Sequence, residues 1–367
     1  YTLLYIYYMQ KQSHHIIYRK FVAAVTVMAV MAAALTLTTS CDNLPFGANG
    51  KAGQKKKFTN EVMLRYSPVK DQGISPLCWM YAMLATIETE HIMMGDSVNL
   101  SADYVARNFL SEQARCHFLS SGYDRVTLHG TAPQLLRLLN EYGVMPYDSY
   151  NHPGLNYDAL AKRVVMLSNA STDMSKLEEQ CQRIFDERIG ALPRKVYMLG
   201  AEYTPEEFAH SVYMQGEYTA LTSFSHHPFG ESFALEVPDN YSDELFYNVP
   251  IDVLMKRIER SLRAGHPVCW EGDTSETGFS FKDGIATLGD NSTPCSQQQR
   301  QKAFETRQTT DDHCMCLIGI AHDQNGQRYY IAKNSWGTAN PYGGLMYLSE
   351  DYVRMKTVAL VVKNINM

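Results

Sequence analysis

The sequence predicts an α+β protein with two lobes, and three observations lead to this fold class. The chain has 367 residues, more than one ordinary hydrophobic core accommodates, so two lobes or a core with a large insertion are expected. An apolar, helix-prone run follows Cys78 and predicts a helix in the first half. Strand-like runs at residues 313–321 and 328–333, joined by a short polar turn, predict a β-hairpin near the C-terminus.

The composition and charge are those of a globular protein. Hydrophobic residues make up 45% and charged residues 20% of the sequence. The net charge of -6 argues against a nucleic-acid partner, because nucleic-acid-binding proteins favour a basic face.

Residues 1–41 are predicted to be a signal peptide. Basic residues between Lys11 and Lys20 precede a charge-free apolar run from Phe21 to Leu37. This run leads to Cys41 in a pattern that resembles a bacterial lipoprotein signal, whose cysteine is lipidated. A plain signal peptide or an N-terminal membrane anchor is the alternative. We therefore expect an exported, lipid-anchored protein of the cell envelope, with residues 42–59 as a flexible tether.

The eight cysteines give no disulfide framework. If Cys41 is lipidated and Cys78 is catalytic, six remain, and an oxidising compartment could pair them. Cys314 and Cys316 lie in an apolar run, where buried free thiols are an equally good interpretation.

Cys78 is the predicted nucleophile because it stands at the start of a helix. The positive end of a helix lowers the pKa of a thiol and so favours the reactive thiolate. Gln72, six residues upstream, offers a neutral N–H donor to an oxyanion beside the backbone N–H of Cys78. Cys269 is a weaker candidate, since it lies within a predicted strand.

The C-terminal hairpin supplies the partners of this thiol. His313 opens the first strand and Asn334 follows the second, so the two side chains are expected side by side. The asparagine can then orient one imidazole nitrogen while the other faces the thiol. A metal site at His313, Cys314 and Cys316 is not expected, because residues alternate between the two faces of a strand.

These residues carry a resemblance to the papain-fold cysteine peptidases, and more closely to their bleomycin hydrolase / aminopeptidase C branch. The resemblance covers about residues 60–363. The motifs that carry it are Pro68–Gly73, Cys78-Trp79, His313 and Asn334–Gly337, with Leu221–Phe229, Tyr247–Pro250 and Asp311–His313 for the branch.

The resemblance implies a role for each matching residue. Cys78 would be the nucleophile, His313 its base and then acid, Asn334 the orienter of His313, and Gln72 the oxyanion donor. Supporting roles fall to three further residues: Trp336 would cover the His–Asn hydrogen bond, Trp79 would pack behind the helix, and Asp312, with Asp311, would favour the imidazolium. A solvated loop is the alternative interpretation for the two aspartates.

The chain also departs from the family pattern. Pro76-Leu77 precedes the nucleophile where glycine and a small or basic residue are usual, and Leu77 is expected to narrow the approach to Cys78. His313 follows Cys78 by 235 residues, against about 130–150 in papain-like chains. The excess predicts an insertion. We expect a helical lobe at about 60–150, the insertion at about 151–250 and the β lobe at about 251–367.

The sequence thus predicts a cysteine-type peptidase that acts on peptides or proteins through a thioester, with an aminopeptidase favoured. An endopeptidase of the same fold, an acyl or amide transferase, and a non-catalytic peptide-binding lipoprotein are the alternatives. The chemistry needs neither a metal nor a cofactor. The oligomeric state is not predicted.

Overall fold

The computed structural model describes residues 56–198, 200–289 and 294–364. The predicted signal peptide, the lipidation site Cys41 and most of the tether lie outside the described residues. Within them, no helix has the length and apolar character needed to cross a membrane.

Five helices between residues 78 and 188 build the helical lobe. They are α1 (Cys78–Met94), α2 (Ala102–Leu119), α3 (Ala132–Tyr142), α4 (Tyr157–Ala170) and α5 (Met174–Arg188). Helix α1 is buried along most of its length and contributes to both main hydrophobic clusters. Gly95, at φ 105, ends α1 in the left-handed conformation that glycine adopts without strain. The nucleophile helix is therefore the central element of the lobe.

The second lobe is built on a mixed sheet. The strands are β1 (Phe58–Met63), β2 (Val196–Met198), β3 (Ala201–Tyr203), β4 (Tyr218–Thr222), β5 (Ser232–Ala234), β6 (Leu245–Asn248), β7 (Val268–Gly272), β8 (Phe279–Ser280), β9 (Ile285–Ala286), β10 (His313–Asp323), β11 (Arg328–Lys333), β12 (Leu345–Ser349) and β13 (Thr357–Lys363).

Eleven of these strands form one sheet. Ten follow the order β5-β6-β4-β13-β7-β10-β11-β12-β9-β8, and the eleventh, β1, also pairs with β10, while β2 and β3 form a separate hairpin. The helices and the large sheet confirm the α+β class.

Four further helices flank this sheet, and two of them differ from the sequence expectation. They are α6 (Pro205–Val212), α7 (Ile251–Arg263), α8 (Gln297–Glu305) and α9 (Glu350–Lys356). In the sequence, residues 200–250 are rich in Tyr, Phe, His and Pro and predict irregular, packed structure, while residues 297–310 predict a polar approach to His313. The structure instead places α6 and α8 there, each opened by a reciprocal capping box in which Thr204 or Ser296 bonds the third helical residue.

The pairing of β7 with β10 fixes which residues face the helical lobe. His313 lies opposite Gly272, Cys314 opposite Glu271, and Cys316 opposite Cys269. Because paired residues of antiparallel strands point to the same face, Cys314 and Glu271 share one face of the sheet. Cys269 and Cys314 pack in the same hydrophobic cluster as α1, so this face is the one that meets the nucleophile helix.

The described cysteines are all free thiols: Cys78, Cys116, Cys181, Cys269, Cys295, Cys314 and Cys316. Of the two interpretations of Cys314 and Cys316, the structure has the buried free thiols.

Candidate active site

Cys78 is the first residue of α1 and lies partly buried where the helical lobe meets the sheet. Leu77, the N-cap residue, is 0% exposed and belongs to the core of the helical lobe. This side chain therefore packs inward with the core of the lobe. The predicted narrowing of the approach to Cys78 stays a prediction.

His313 and Asn334 form the hydrogen bond expected from the hairpin. The Nε2 atom of His313 lies 2.7 Å from Oδ1 of Asn334, and both side chains are buried. This contact leaves Nδ1 for the thiol of Cys78, whose pKa the imidazole lowers. The two residues meet because His313 begins β10 while Asn334 directly follows β11, its antiparallel neighbour.

Aromatic rings shield the imidazole from water. The ring centroids of Trp336 and His313 are 4.5 Å apart. The ring centroids of Phe279 and Phe281 lie 5.9 and 5.4 Å from that of Trp336, in edge-to-face arrangements. A less polar surrounding strengthens a hydrogen bond such as that between His313 and Asn334. The position of Trp336 is thus the one expected of a covering residue.

Gln72 is held by the strand end that carries Asn334. Its backbone N–H donates to the carbonyl of Ser335 at 2.8 Å, and its Oε1 accepts from the Ser335 hydroxyl at 2.6 Å. Its Nε2 donates one hydrogen to the carbonyl of Ser75 at 2.7 Å. An amide nitrogen carries two hydrogens, so the second remains for an oxyanion.

The thiol of Cys78 is set up to ionise. A hydrogen bond from the Cys314 thiol, together with the hydrogen bond and positive charge of His313, holds the pKa of Cys78 well below its ordinary value, although burial opposes this. The same contact with Cys78, with burial, raises the pKa of Cys314 well above its ordinary value. Cys314 therefore stays protonated and donates to the Cys78 thiolate.

The sequence does not predict that Cys314 lowers the pKa of Cys78. In the sequence analysis Cys314 enters only the argument against a metal site. The available signal was its place next to His313, on the strand face that turns toward α1.

We expect Cys314→Ala to raise the pKa of Cys78, because the variant loses the donor that stabilises the thiolate. The measurement is the rate at which iodoacetamide alkylates Cys78, followed by mass spectrometry across the pH range. The pH of half-maximal rate should move upward. Cys316→Ala is the matched control: this thiol is also buried on β10, and burial raises its pKa to about 11. An equal profile in both variants would contradict the role of Cys314.

A buried carboxylate joins the three segments that carry the site. Glu88 of α1 accepts from Lys70 Nζ at 2.6 Å and from the backbone N–H of Leu100 at 2.7 Å, and Lys333 Nζ lies 3.8 Å away. Lys70 precedes Gln72 by two residues, and Lys333 precedes Asn334. The nucleophile helix is therefore fastened to the segments of both partners through Glu88.

The two remaining supporting residues differ in outcome. Trp79 is 1% exposed, packs edge-on against Phe109 and donates from Nε1 to the carbonyl of Leu128 at 2.9 Å, as expected of a packing residue. The carboxyl of Asp312 lies beside Asp273 and Thr310, and burial, followed by the hydrogen bond with Asp273, raises its pKa. Its effect on the imidazolium of His313 stays a prediction.

Within the described ranges, one group of side chains has the ligands and spacing for a metal ion, namely His226, His227 and Glu236. Both imidazoles bond the carboxylate of Glu236, at 3.1 and 2.6 Å. The cysteines next to His313 do not form such a group with it.

The Peptidase C1-like family matches residues 194–366, a stretch that contains His313 and Asn334 while Cys78 precedes it. Over this stretch the chain is similar to the Peptidase C1-like family, and this likeness supports a cysteine peptidase.

Two particular relatives extend the likeness to most of the chain. Aminopeptidase E of Lactobacillus helveticus is 22% identical over 364 residues, which span 80% of this chain and 80% of the relative. The crystal structure of PepW from Lactobacillus rhamnosis superposes with a TM-score of 0.63 at 17% identity, covering 83% of this chain and 82% of PepW.

Proposed function

We propose that this peptidase is an aminopeptidase that works through Cys78, His313 and Asn334. The observation that carries the proposal is the 2.7 Å contact between His313 and Asn334 beside a thiol whose pKa is lowered by Cys314 and by His313. The likeness to Aminopeptidase E supports the exopeptidase assignment.

The proposed reaction begins with attack of the Cys78 thiolate on the carbonyl carbon of the peptide bond. The oxygen of that carbonyl takes the negative charge, and the backbone N–H of Cys78 and the second N–H of Gln72 donate to it. The imidazolium of His313 protonates the leaving amine as the C–N bond breaks, which leaves a thioester on Cys78.

Hydrolysis then restores the site. His313, now neutral, takes a proton from water, and the resulting hydroxide attacks the thioester carbonyl. The C–S bond breaks, the carboxylic product leaves, and the sulfur returns as a thiolate beside the imidazolium. Asn334 keeps the imidazole ring oriented through both steps.

The alternative functions predicted from the sequence are not equally supported. The non-catalytic interpretation rests on Pro76-Leu77 beside the nucleophile, and it is weakened because Leu77 is buried in the core. An endopeptidase of the same fold would use the same three residues and differ in which peptides it accepts. The lipid anchor at Cys41 and export to the cell envelope remain proposals from the sequence alone.

We expect the wild-type enzyme to cleave leucyl-aminomethylcoumarin with a free amine at least tenfold faster than the N-acetylated compound. Longer peptides should lose residues one at a time from the amino end, which mass spectrometry of a time course detects. Rapid internal cleavage of N-acetylated peptides would support the endopeptidase and contradict the aminopeptidase. Transfer of the acyl group to added amines, in place of hydrolysis, would identify a transferase.

A further inference from the structure

A loop of residues 235–244, between β5 and β6, connects the sheet to the helical lobe near Cys78. The Asp239 carboxylate lies 3.1 Å from Nδ1 of His129, and the Tyr241 hydroxyl accepts from Gln134 at 2.7 Å. The loop is internally braced, because the Asn240 amide donates to two carbonyls of the loop at 3.0 and 2.9 Å. The loop therefore brings a carboxylate to His129, a residue whose charge interacts with that of Cys78.

Glu271 is a second carboxyl at this place, and the mechanism does not use it. It lies on β7 directly opposite Cys314, is 2% exposed, and its Oε1 has no hydrogen-bond donor. Burial, and then the negative charges of Asp239 and Cys78, raise the pKa of Glu271 to about 8. The carboxyl is thus close enough to the nucleophile for the charges of the two groups to interact.

Asp311 is the third carboxyl and is in contact with Glu271. Its Oδ2 is buried and has no donor from the protein. Burial, followed by the charge of Glu271, raises the pKa of Asp311 well above its ordinary value. Two adjacent carboxyls of this kind oppose each other's ionisation, because like charges repel at close range.

This arrangement lacks a cation. Buried carboxylates in proteins are as a rule paired with a positive charge, since desolvation otherwise costs several kcal/mol. In the part of the chain that the structure describes, neither Glu271 nor Asp311 forms an ion pair, and His129 is paired with Asp239. A ligand that carries a positive charge and N–H donors would complete the site.

The chemistry of an aminopeptidase substrate supplies such a ligand. Its amine nitrogen is two bonds from the carbonyl carbon that the thiolate attacks, so the acceptors of the amine must lie beside the nucleophile. Glu271 and Asp311 meet this requirement through their charge interaction with Cys78. The loop 235–244 brings Asp239 within range of a charge interaction with both carboxyls.

On the basis of the proposed function, we propose that Glu271 and Asp311, next to Asp239, bind the protonated N-terminal amine of the peptide substrate. The ammonium donates to the two carboxyl oxygens that have no protein donor. The same acceptors suit a lysine or arginine side chain at the second position before the cleaved bond, and the test separates the two sources.

The experiment compares Glu271→Gln, Asp311→Asn and Asp239→Asn with Asp243→Asn, an exposed carboxylate on the same loop. The substrates are leucyl-aminomethylcoumarin, its N-acetyl derivative, and N-acetylated dipeptidyl coumarins with arginine or leucine before the final leucine. Alkylation of Cys78 by uncharged iodoacetamide reports whether each site is intact. Asp239→Asn changes a partly exposed loop residue and keeps the test valid if a buried variant does not fold.

We expect the ratio of kcat/KM for the free amine to that for the N-acetyl compound to fall about tenfold to a hundredfold in Glu271→Gln and Asp311→Asn, mainly through KM. A smaller fall is expected in Asp239→Asn and none in Asp243→Asn.

An unchanged ratio in both buried variants, with a clear free-amine preference in the wild type, would overturn the amine site and leave the aminopeptidase standing. No free-amine preference in the wild type would overturn both. A preference for arginine over leucine, lost in Glu271→Gln, would assign the pocket to a side chain and overturn the N-terminal assignment.

Discussion

Replacing Cys78 by alanine is expected to lower kcat/KM for peptide substrates by about 10⁴-fold or more, because no other group can form the thioester. Cys78→Ser should be almost as inactive. A hydroxyl beside His313 has a far higher pKa than a thiol, and a site arranged for a thiolate does not ionise it. Initial rates with leucyl-aminomethylcoumarin measure both effects.

Cys269→Ala is the matched control for this prediction. The Cys269 thiol is also buried near α1, where burial, followed by the charge of Cys316, raises its pKa well above the ordinary value. A thiol of that kind is inert, so the variant should keep nearly full activity. Retained activity in Cys78→Ala, or a larger loss in Cys269→Ala, would show that the nucleophile has been misassigned.

Replacing Glu88 by glutamine is expected to cost about 3–5 kcal/mol of the free energy of unfolding, because the buried ammonium groups of Lys70 and Lys333 lose their counter-charge. Activity should fall as well, since Glu88 fastens α1 to the segments of Gln72 and Asn334. Urea denaturation followed by tryptophan fluorescence measures the stability. Glu259→Gln is the control: it pairs with Arg263 and Arg328 at the surface, where loss of about 0–1 kcal/mol is expected.

The loss of unfolding free energy caused by Glu88→Gln should become smaller as the pH falls. Burial opposes ionisation of Glu88, but the charges of Lys70 and Lys333 outweigh it and hold the pKa below the ordinary value of 4.5. The contribution of a carboxylate with a lowered pKa is complete above pH 4.5 and is lost as the pH falls through the folded-state pKa. The stability difference between wild type and variant should therefore shrink in acid. A difference that grows in acid would contradict the ionised state of Glu88.

The local parts of the site could be predicted from sequence because short motifs determine them. Cys78 opens a helix in an apolar run, and the hairpin from His313 to Asn334 is a single supersecondary unit with a short turn. Such arrangements depend on neighbours in the chain. Helices α6 and α8 were equally local, and the Thr204/Glu207 and Ser296/Gln299 patterns could have revealed them.

The parts that could not be predicted depend on pairing between distant segments. Glu271 reaches the nucleophile only through the register of β7 against β10, which no local pattern specifies. Asp239 lies on a loop that connects two short strands at one end of the sheet. The inward direction of Leu77 is likewise set by the packing of the helical lobe and not by the residue type.

The position of β7 has a consequence for the biosynthesis of the enzyme. This strand lies between β10 and β13, so both of its neighbours are synthesised after it, and β13 extends to Lys363. A nascent chain that has exposed Cys78 and Glu271 still lacks the strands that bury them. We therefore expect the proposed peptidase activity to arise only when almost the whole described chain has emerged from the ribosome.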